Sequence, residues 1–296
     1  MIIFASAKSR RAAALGGVAL AMLGSAALLA GLIRPGGHDV GKALVGEARD
    51  ATLTLDLPQA VADVPVSEAR VPGRPIVLID PGHGGHDPGS TSVTAKVQEK
   101  ALTLALSAEL RDLLVERGRV RVAMTRRDDR YVALEQRADI ARRLGAALFV
   151  SLHMDHAPNP LAKGVTVYSL ADVASDQDAA RFASSENRLA GNASSEPDGS
   201  VRALLSDLAI RDEMEGSAAL AERIVRHASG PVVLRPRPHQ FAAFHVLRRA
   251  ATPAVLVEAG YISNVDEEAR LTTPKGRAPL VRALAQAIEA DVAVRR

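Results

Sequence analysis

Apolar and polar residues follow two different periods in the chain after about residue 75. Short apolar runs, which predict buried strands, alternate with longer stretches in which apolar residues recur every three or four positions, which predict amphipathic helices. This alternation favours an α/β domain with helices on both faces of a sheet. Strands are predicted at 76–80, 120–124, 147–152, 164–169, 232–235, 242–247 and 254–258, and helices at about 98–117, 131–144, 177–190, 201–228 and 275–294.

The N-terminal region has a different pattern. Three basic residues precede an uncharged apolar stretch, 12–33, that is long enough to cross a bilayer. We therefore predict that residues 1–34 are a signal peptide or a signal anchor, and that the protein is exported. If the segment is retained, 12–33 would anchor the protein in the inner membrane. Residues 35–74 are rich in Pro, Gly, Ala and Asp and predict a linker, which leaves 75–296 as the folded domain.

Composition narrows the chemistry available to this domain. The chain of 296 residues contains no cysteine, so it has neither a disulfide framework nor a thiolate metal site, and nitrogen and oxygen atoms would have to hold any metal. The net charge is only +3 and the basic residues are scattered. No interleaving of arginines and aromatic residues indicates nucleic acid, and we expect no nucleic-acid partner.

A glycine-rich loop follows the first predicted strand. The run Ile76-Val-Leu-Ile breaks off into Asp80-Pro-Gly-His83-Gly-Gly-His86-Asp87, which places an imidazole at the tip of a tight turn. Loops at strand ends commonly carry catalytic groups, because the sheet holds them in place. Taken alone, His83 could equally be a capping or solvated group. A phosphate-binding loop is disfavoured, because no Gly-Lys-Ser/Thr and no GxGxxG opening a helix follows.

Further candidates lie at the ends of other elements. Glu99 opens an amphipathic helix, His153 ends an apolar strand, and Glu258 follows the apolar run Pro253-Ala-Val-Leu-Val. Two histidines and one glutamate suit a catalytic zinc, which has three protein ligands and an open position for water. A glutamate not needed as a ligand is a candidate general base. The same ligands could suit non-haem iron, but a base beside the metal favours hydrolysis and therefore zinc.

Neighbouring polar residues are candidates for supporting roles. Asp80 and Asp155 are expected to orient the ligand imidazoles, as carboxylates often do around metals. His86 and His156 lie close in sequence to the proposed ligands, and could support them or contact substrate.

Four motifs in order resemble one enzyme family. They are Asp80-Pro-Gly-His-Gly-Gly-His-Asp87, Gln98-Glu99-Lys100, Ser151-Leu-His153-Met-Asp155 and Val257-Glu258-Ala-Gly-Tyr-Ile-Ser-Asn264. The chain is similar to the zinc-dependent N-acetylmuramoyl-L-alanine amidases of the amidase_3 type, which cleave bacterial peptidoglycan. One departure is Met154, where such proteins more often have a small residue, and we expect it to alter packing rather than metal binding.

The resemblance implies specific roles and a specific fold. His83, Glu99 and His153 would hold Zn²⁺, and Glu258 would be the catalytic carboxylate. The fold would be a single twisted mixed sheet with the zinc site at its strand ends. The substrate would be peptidoglycan, cut between N-acetylmuramic acid and L-alanine, and the enzyme would be periplasmic.

The segment 172–230, between two predicted strands, is long for a connection and carries its own helices. The division-associated amidases of Gram-negative bacteria are similar in carrying an insertion here, with a helix that plugs the zinc site. The resemblance therefore implies that 172–200 is autoinhibitory, that Glu186 occupies the open zinc position, and that a LytM-type activator relieves it. The alternative is a surface helix with a solvated glutamate.

Two other functions remain open on the sequence. A different zinc hydrolase of the wall, such as a carboxypeptidase or a deacetylase, would share the ligands and cut another bond. A non-catalytic scaffold that binds the wall and division proteins would not need Glu258.

Overall fold

The computed structural model describes residues 64–94, 96–188 and 201–295, with the backbone alone at 201–207. All of them belong to one unit, Pro58–Arg296. Its strands are β1 (Ile76–Pro81), β2 (Arg121–Met124), β3 (Leu148–Asp155), β4 (Val165–Leu170), β5 (Leu234–Ala242) and β6 (Ala254–Tyr261). Its helices are α1 (Glu99–Arg117), α2 (Leu134–Leu144), α3 (Gln177–Asn187), α4 (Val201–Ala228), α5 (His245–Arg249), α6 (Val265–Leu271) and α7 (Pro274–Val294).

The six strands form one mixed sheet in the order β2-β1-β3-β6-β4-β5. Strands β2, β1, β3 and β6 run parallel, β4 runs antiparallel to β6, and β5 runs parallel to β4. The carboxyl ends of β1, β3 and β6, which are adjacent, therefore meet at one edge of the sheet. Ligands of open α/β sheets bind outside such carboxyl ends. The predicted α/β class and single mixed sheet are confirmed.

Each face of the sheet carries its own apolar core, because successive side chains of a buried strand point to opposite faces. Val257 packs with apolar residues of α1, α4 and α7 on one face, whereas Leu256 packs with those of α2 and α5 on the other. The predicted helices on both faces are thus confirmed. Residues 254, 256 and 258 alternate with 255 and 257, so Glu258 shares the face of Leu256.

Helix α1 illustrates how the sequence sets an element. Its leucines at 102, 106, 110 and 114 are one turn apart and all are buried. Burying a leucine fully contributes about 1.5–3 kcal/mol. The helix ends at Gly118, whose φ of 64° is left-handed and whose N–H donates to the carbonyl of Leu114. Glu99 is consequently fixed at the first position of a well-packed helix.

The predicted strands at 232–235 and 242–247 are wrong. The structure has one strand, β5, across 234–242, and the short helix α5 follows it. The prolines at 236 and 238 interrupt the sequence pattern, because proline cannot donate to a strand ladder. An edge strand tolerates them, and β5 lies at the edge of the sheet.

The N-terminal predictions fall mostly outside the described residues, which exclude 1–63 and therefore the apolar stretch 12–33. Within the described ranges, no helix combines the length and the apolar character that crossing a membrane requires. Residues 64–74, placed in the linker by the sequence, contact the domain: Ser67 and Val122 exchange two backbone hydrogen bonds of 2.8 and 3.0 Å. This pairing covers the outer edge of β2.

Candidate metal centre

The loop after β1 brings His83 over the carboxyl end of the sheet. His83 has a φ of 61°, in the left-handed region that costs a non-glycine residue about 1–2 kcal/mol. Glycines surround it where other parts of the site approach closely. A Cβ on Gly82 would lie 2.4–2.7 Å from three ring atoms of His153, and one on Gly89 would lie 2.6 Å from Oε2 of Glu99. Because glycine has no Cβ, the loop can pack closely against the side chains of His153 and Glu99.

Three of the predicted site residues converge on one point. Oε1 of Glu99 lies 3.0 Å from Nε2 of His83 and 3.2 Å from Nδ1 of His153. The backbone N–H groups of Met154 and Ser90 donate to Oε1 and Oε2 of Glu99 at 3.0 and 2.9 Å, which fixes the carboxylate. The side chain of Met154 is buried in the core.

Two imidazole nitrogens show whether the residues at this site fit a metal ion. Nε2 of His83 and Nδ1 of His153 are both buried, and neither has a hydrogen-bond partner in the described part of the chain. Their short distances to Glu99 do not meet the directional requirement of a hydrogen bond. Buried polar atoms are rarely left unpaired. Two nitrogens and a carboxylate oxygen that face one another form a donor set that fits zinc.

The charges around His83 also favour a cation. Burial lowers the pKa of His83, but the Glu99 carboxylate and a hydrogen bond to Asp87 outweigh it and raise the pKa to about 10. Burial raises the pKa of Glu99, and the positive charges of His83 and His153 bring it below its ordinary value. The site thus stabilises positive charge where a metal ion would place it.

Asp87, rather than Asp80 or Asp155, orients an imidazole. Its Oδ2 lies 2.9 Å from Nδ1 of His83, and this contact leaves Nε2 free to face Glu99. The expectation for Asp80 is wrong, because its carboxylate is bound by Thr125, Ser151 and Arg137 below the loop.

Asp155 also departs from the expectation. Its carboxylate accepts hydrogen bonds from the Tyr261 hydroxyl and from the backbone N–H of His156, because it lies at the end of β3 beside Tyr261. His86 packs against the ring of Tyr131, with ring centroids 4.1 Å apart. His86 and His156 are both exposed.

Glu258 lies in β6, in register with His153 of β3. Its side chain is 0% exposed, and neither carboxylate oxygen has a hydrogen-bond partner among the described residues. Burial raises its pKa well above the ordinary value, and the charges of Asp155, Glu99 and Glu186 raise it further. A carboxylate held in this way is a stronger proton acceptor than an exposed one.

Comparison with known proteins shows the family to which the chain belongs. The family model described as Amidase_3, N-acetylmuramoyl-L-alanine amidase, matches residues 77–290. The chain belongs to this family. It is 33% identical over 220 residues to the N-acetylmuramoyl-L-alanine amidase AmiA of Escherichia coli, a match that covers 73% of this chain and 75% of that relative.

Two solved structures are similar to the amidase fold of this chain. AmiC2 of Nostoc punctiforme has a TM-score of 0.53 at 25% identity, over 76% of this chain and 99% of its own. The N-acetylmuramoyl-L-alanine amidase of Clostridium difficile 630 has a TM-score of 0.54 at 24% identity, over 73% and 96%.

Helix α3 of this amidase covers the site. The side-chain amide of Asn187 donates to the carbonyl of Ala243 and accepts from the backbone N–H of His245, both at 2.8 Å. Phe182 packs against the rings of Tyr168 and Phe244 at centroid distances of 5.2 and 5.6 Å. These contacts fasten the helix at its C-terminal end and along its inner face.

Glu186 projects from α3 towards the converging groups. Its Oε2 lies 3.7 Å from Nδ1 of His153, and ligand atoms of Glu186, His83 and His153 all lie within 4.8 Å of one another. Burial raises the pKa of Glu186, and the two histidines lower it in part. The cavity that these side chains line has a volume of about 20 Å³, enough for one water molecule.

The sequence interpretation missed three residues at this site. Asp87 stands four residues after His83 inside the recognised motif, and that spacing was a usable indication. Arg126 and Arg137 contact the His83 loop from below. Nothing in the sequence pattern pointed to either arginine.

Proposed function

We propose that this amidase is a zinc-dependent hydrolase that cuts the bond between N-acetylmuramic acid and L-alanine in peptidoglycan. The observation that carries the proposal is the pair of buried, unpartnered nitrogens on His83 and His153 facing the Glu99 carboxylate. These three residues would hold the ion. Zinc would lower the pKa of a bound water and polarise the amide carbonyl.

Glu258 would be the catalytic carboxylate. It accepts a proton from the attacking water on a carboxylate oxygen, and then gives that proton to the departing nitrogen of L-alanine. Its raised pKa supports this exchange, because burial makes the carboxylate a stronger proton acceptor. Its lack of competing hydrogen-bond donors among the described residues leaves both oxygens available.

The contacts of α3 support autoinhibition as part of the same proposal. Glu186 would compete with water and substrate for the open position of the metal, and α3 would exclude the glycan strand. Activity would then require that α3 leave the site. A LytM-type activator is the partner that the family resemblance implies for this step.

The place of action follows from the substrate and from the N-terminal sequence. Peptidoglycan lies outside the inner membrane, and the apolar stretch 12–33 predicts export. We therefore propose a periplasmic enzyme, released or anchored through that stretch.

Purified sacculi provide the test. Residues 58–296, loaded with zinc and carrying Glu186→Ala to open the site, would be incubated with sacculi, and the released material would be analysed by mass spectrometry. Free stem peptides beginning with L-alanine, together with peptide-free glycan, are the expected products.

Shortened peptides still attached to sugar would indicate a carboxypeptidase, and acetate without peptide would indicate a deacetylase. A folded, zinc-loaded protein that yields no product would favour the non-catalytic scaffold. Glu258→Gln in the same background is the matched control.

A further inference from the structure

The carbonyl groups of the loop that carries His83 are bound from below by two buried arginines. The carbonyl of Pro81 accepts from Nε of Arg126 at 3.0 Å and from Nη1 of Arg137 at 2.7 Å. The carbonyl of Gly82 accepts from Nη2 of Arg126 at 2.8 Å. The carbonyl of His83 itself accepts from Nη2 of Arg137 at 2.8 Å. Three consecutive carbonyls are thus held by two guanidinium groups.

Arg137 acts on the strained residue. His83 needs a left-handed backbone to aim its ring at Glu99, and the hydrogen bond from Arg137 holds its carbonyl in that conformation. Arg137 is in turn held by Asp80, whose Oδ1 lies 2.7 Å from Nη1. Ser151 and Thr125 donate to the same carboxylate at 2.8 and 2.6 Å. The chain of contacts therefore runs from β3 through Asp80 to the backbone of His83.

Arg126 links two of the elements that carry the candidate ligands. Nη2 of this fully buried arginine donates both to Gly82 in the His83 loop and to the carbonyl of Lys100, at 2.8 and 2.9 Å. Lys100 is the neighbour of Glu99 at the start of α1. The same nitrogen also lies 3.0 Å from Oγ1 of Thr103, which donates to the Gly82 carbonyl at 2.9 Å. One guanidinium therefore sets the spacing between the loop and the helix.

We propose that Arg126 and Arg137 are positioning residues for the metal centre, which hold His83 in its strained conformation and at its distance from Glu99. The inference rests on the proposed function, in that His83 and Glu99 must be metal ligands for the spacing to matter. Neither arginine touches the metal or the substrate. Their effect is to keep the ligand set preorganised, so that binding the ion does not require the loop to reorder.

A buried arginine elsewhere in the fold separates this role from general stability. Arg277 is as buried as Arg137, both being 5% exposed, and it pairs with Glu109 and donates to the carbonyl of Leu271. Its partners are Glu109, in the middle of α1, and Leu271, at the end of α6, and neither belongs to the His83 loop. Lysine at any of the three positions keeps the charge but has one nitrogen, so it cannot bridge several carbonyls in a plane.

The experiment compares the zinc affinity of the full chain with that of Arg126→Lys, Arg137→Lys and Arg277→Lys, measured by competition with a chromophoric chelator. Urea unfolding of the chelated proteins gives the loss of stability in each. We expect the dissociation constant for zinc to rise about 10–100-fold for the first two variants, the usual effect of losing a residue that orients a ligand. For Arg277→Lys we expect a change below about twofold, although its stability also falls.

Three results would overturn the inference. The first is a parent-like zinc affinity in both Arg126→Lys and Arg137→Lys, and the second is an equal loss in Arg277→Lys. If the first two variants do not fold, Thr103→Val replaces them, since it removes one donor to Gly82 without removing volume. A parent-like affinity in Thr103→Val is the third. A parent that binds no zinc would instead remove the proposed function.

Discussion

His153 and Glu258 are register partners on the adjacent parallel strands β3 and β6. Paired residues on neighbouring strands project from the same face, so the two side chains stand side by side above the core of Leu256. One presents an unpartnered nitrogen and the other two unpartnered oxygens among the residues described. The sheet therefore places a candidate metal ligand next to a candidate base. The pairing of two strands sets their relative position, and no loop is involved.

Glu258→Gln should abolish hydrolysis and leave metal binding nearly intact. The amide has the size of the carboxyl group but cannot exchange the proton, and loss of a general base typically costs 10²–10⁴-fold in rate. Product release from sacculi and zinc content would be measured on the same preparation. The folded protein should be no less stable, because an unpaired buried carboxylate is costly. Retention of parent-like turnover would remove Glu258 from the proposed role.

Removal of zinc should destabilise the protein, and its return should restore stability. His83, Glu99 and His153 come from a loop, a helix and a strand, so an ion that binds all three favours the folded chain. With free zinc at about 1,000 times its dissociation constant, the gain is about 4 kcal/mol. Thermal unfolding with chelator and then with excess zinc measures it. A double variant, His83→Ala with His153→Ala, should show no response to zinc; a response equal to that of the parent would place the metal elsewhere.

Gly82→Ala should impair the metal centre more than the fold. Its Cβ would lie 2.4 Å from the ring of His153, so the imidazole must move away from Glu99. Gly145→Ala is the matched control: Gly145 ends α2 with a φ of 56° and open space around it, so this change carries only the left-handed strain of about 1–2 kcal/mol. We expect a weakened zinc affinity in the first variant and an unchanged one in the second. Equal affinities would show that the close approach is not needed.

Glu186→Ala should raise the basal activity of the zinc-loaded enzyme, because it removes the carboxylate 3.7 Å from His153. Asn187→Ala should do the same by a different route, since it removes both hydrogen bonds at the end of α3, worth about 0.5–1.5 kcal/mol each. Asp178→Ala, on the outer side of α3 with a side chain 79% exposed, is the control and should match the parent. If neither Glu186→Ala nor Asn187→Ala exceeds the parent without an activator, α3 is not inhibitory.

Asp80→Asn should destabilise the protein in a way that depends on pH. Burial raises the pKa of Asp80, but the Arg137 guanidinium and hydrogen bonds from Thr125 and Ser151 bring it below its ordinary value. A lowered folded-state pKa contributes stability above the unfolded pKa of about 4, and this stability is lost as the pH falls. Breaking one member of a buried pair costs about 3–5 kcal/mol at neutral pH. Urea unfolding should show this difference in the free energy of unfolding between parent and variant at pH 7, and a smaller difference at pH 3. An equal difference at both pH values would contradict the charge pairing.

The sequence was most informative where chemistry and local structure coincide. His83 follows β1, Glu99 begins α1, and His153 and Glu258 lie in the C-terminal halves of β3 and β6, and parallel strands bring such positions together. Their convergence could therefore be predicted from order and type alone. The roles of these residues as ligands and base stay predictions.

Side-chain direction and long-range partners could not be predicted. Asp80 does not orient an imidazole because Arg137, Thr125 and Ser151 bind its carboxylate, whereas Asp87 in the loop contacts His83. Arg126 and Arg137 bind backbone carbonyls, which every residue possesses, so no partner could be recognised by its type. The boundary of β5 was missed because its two prolines are acceptable only at a sheet edge, and the edge is a property of the whole topology.

The two edge strands of the sheet, β2 and β5, limit how another protein can bind. At one edge, Ser67 pairs with Val122 of β2; at the other, β5 contains prolines at 236 and 238, which lack the N–H that an added strand would need. Extension of the sheet by a strand of a second chain is therefore disfavoured on both sides. A protein that acts on α3 must therefore recognise side chains on helices and loops. Substituting exposed side chains should identify its binding surface, whereas a peptide that imitates an added strand should not compete with it.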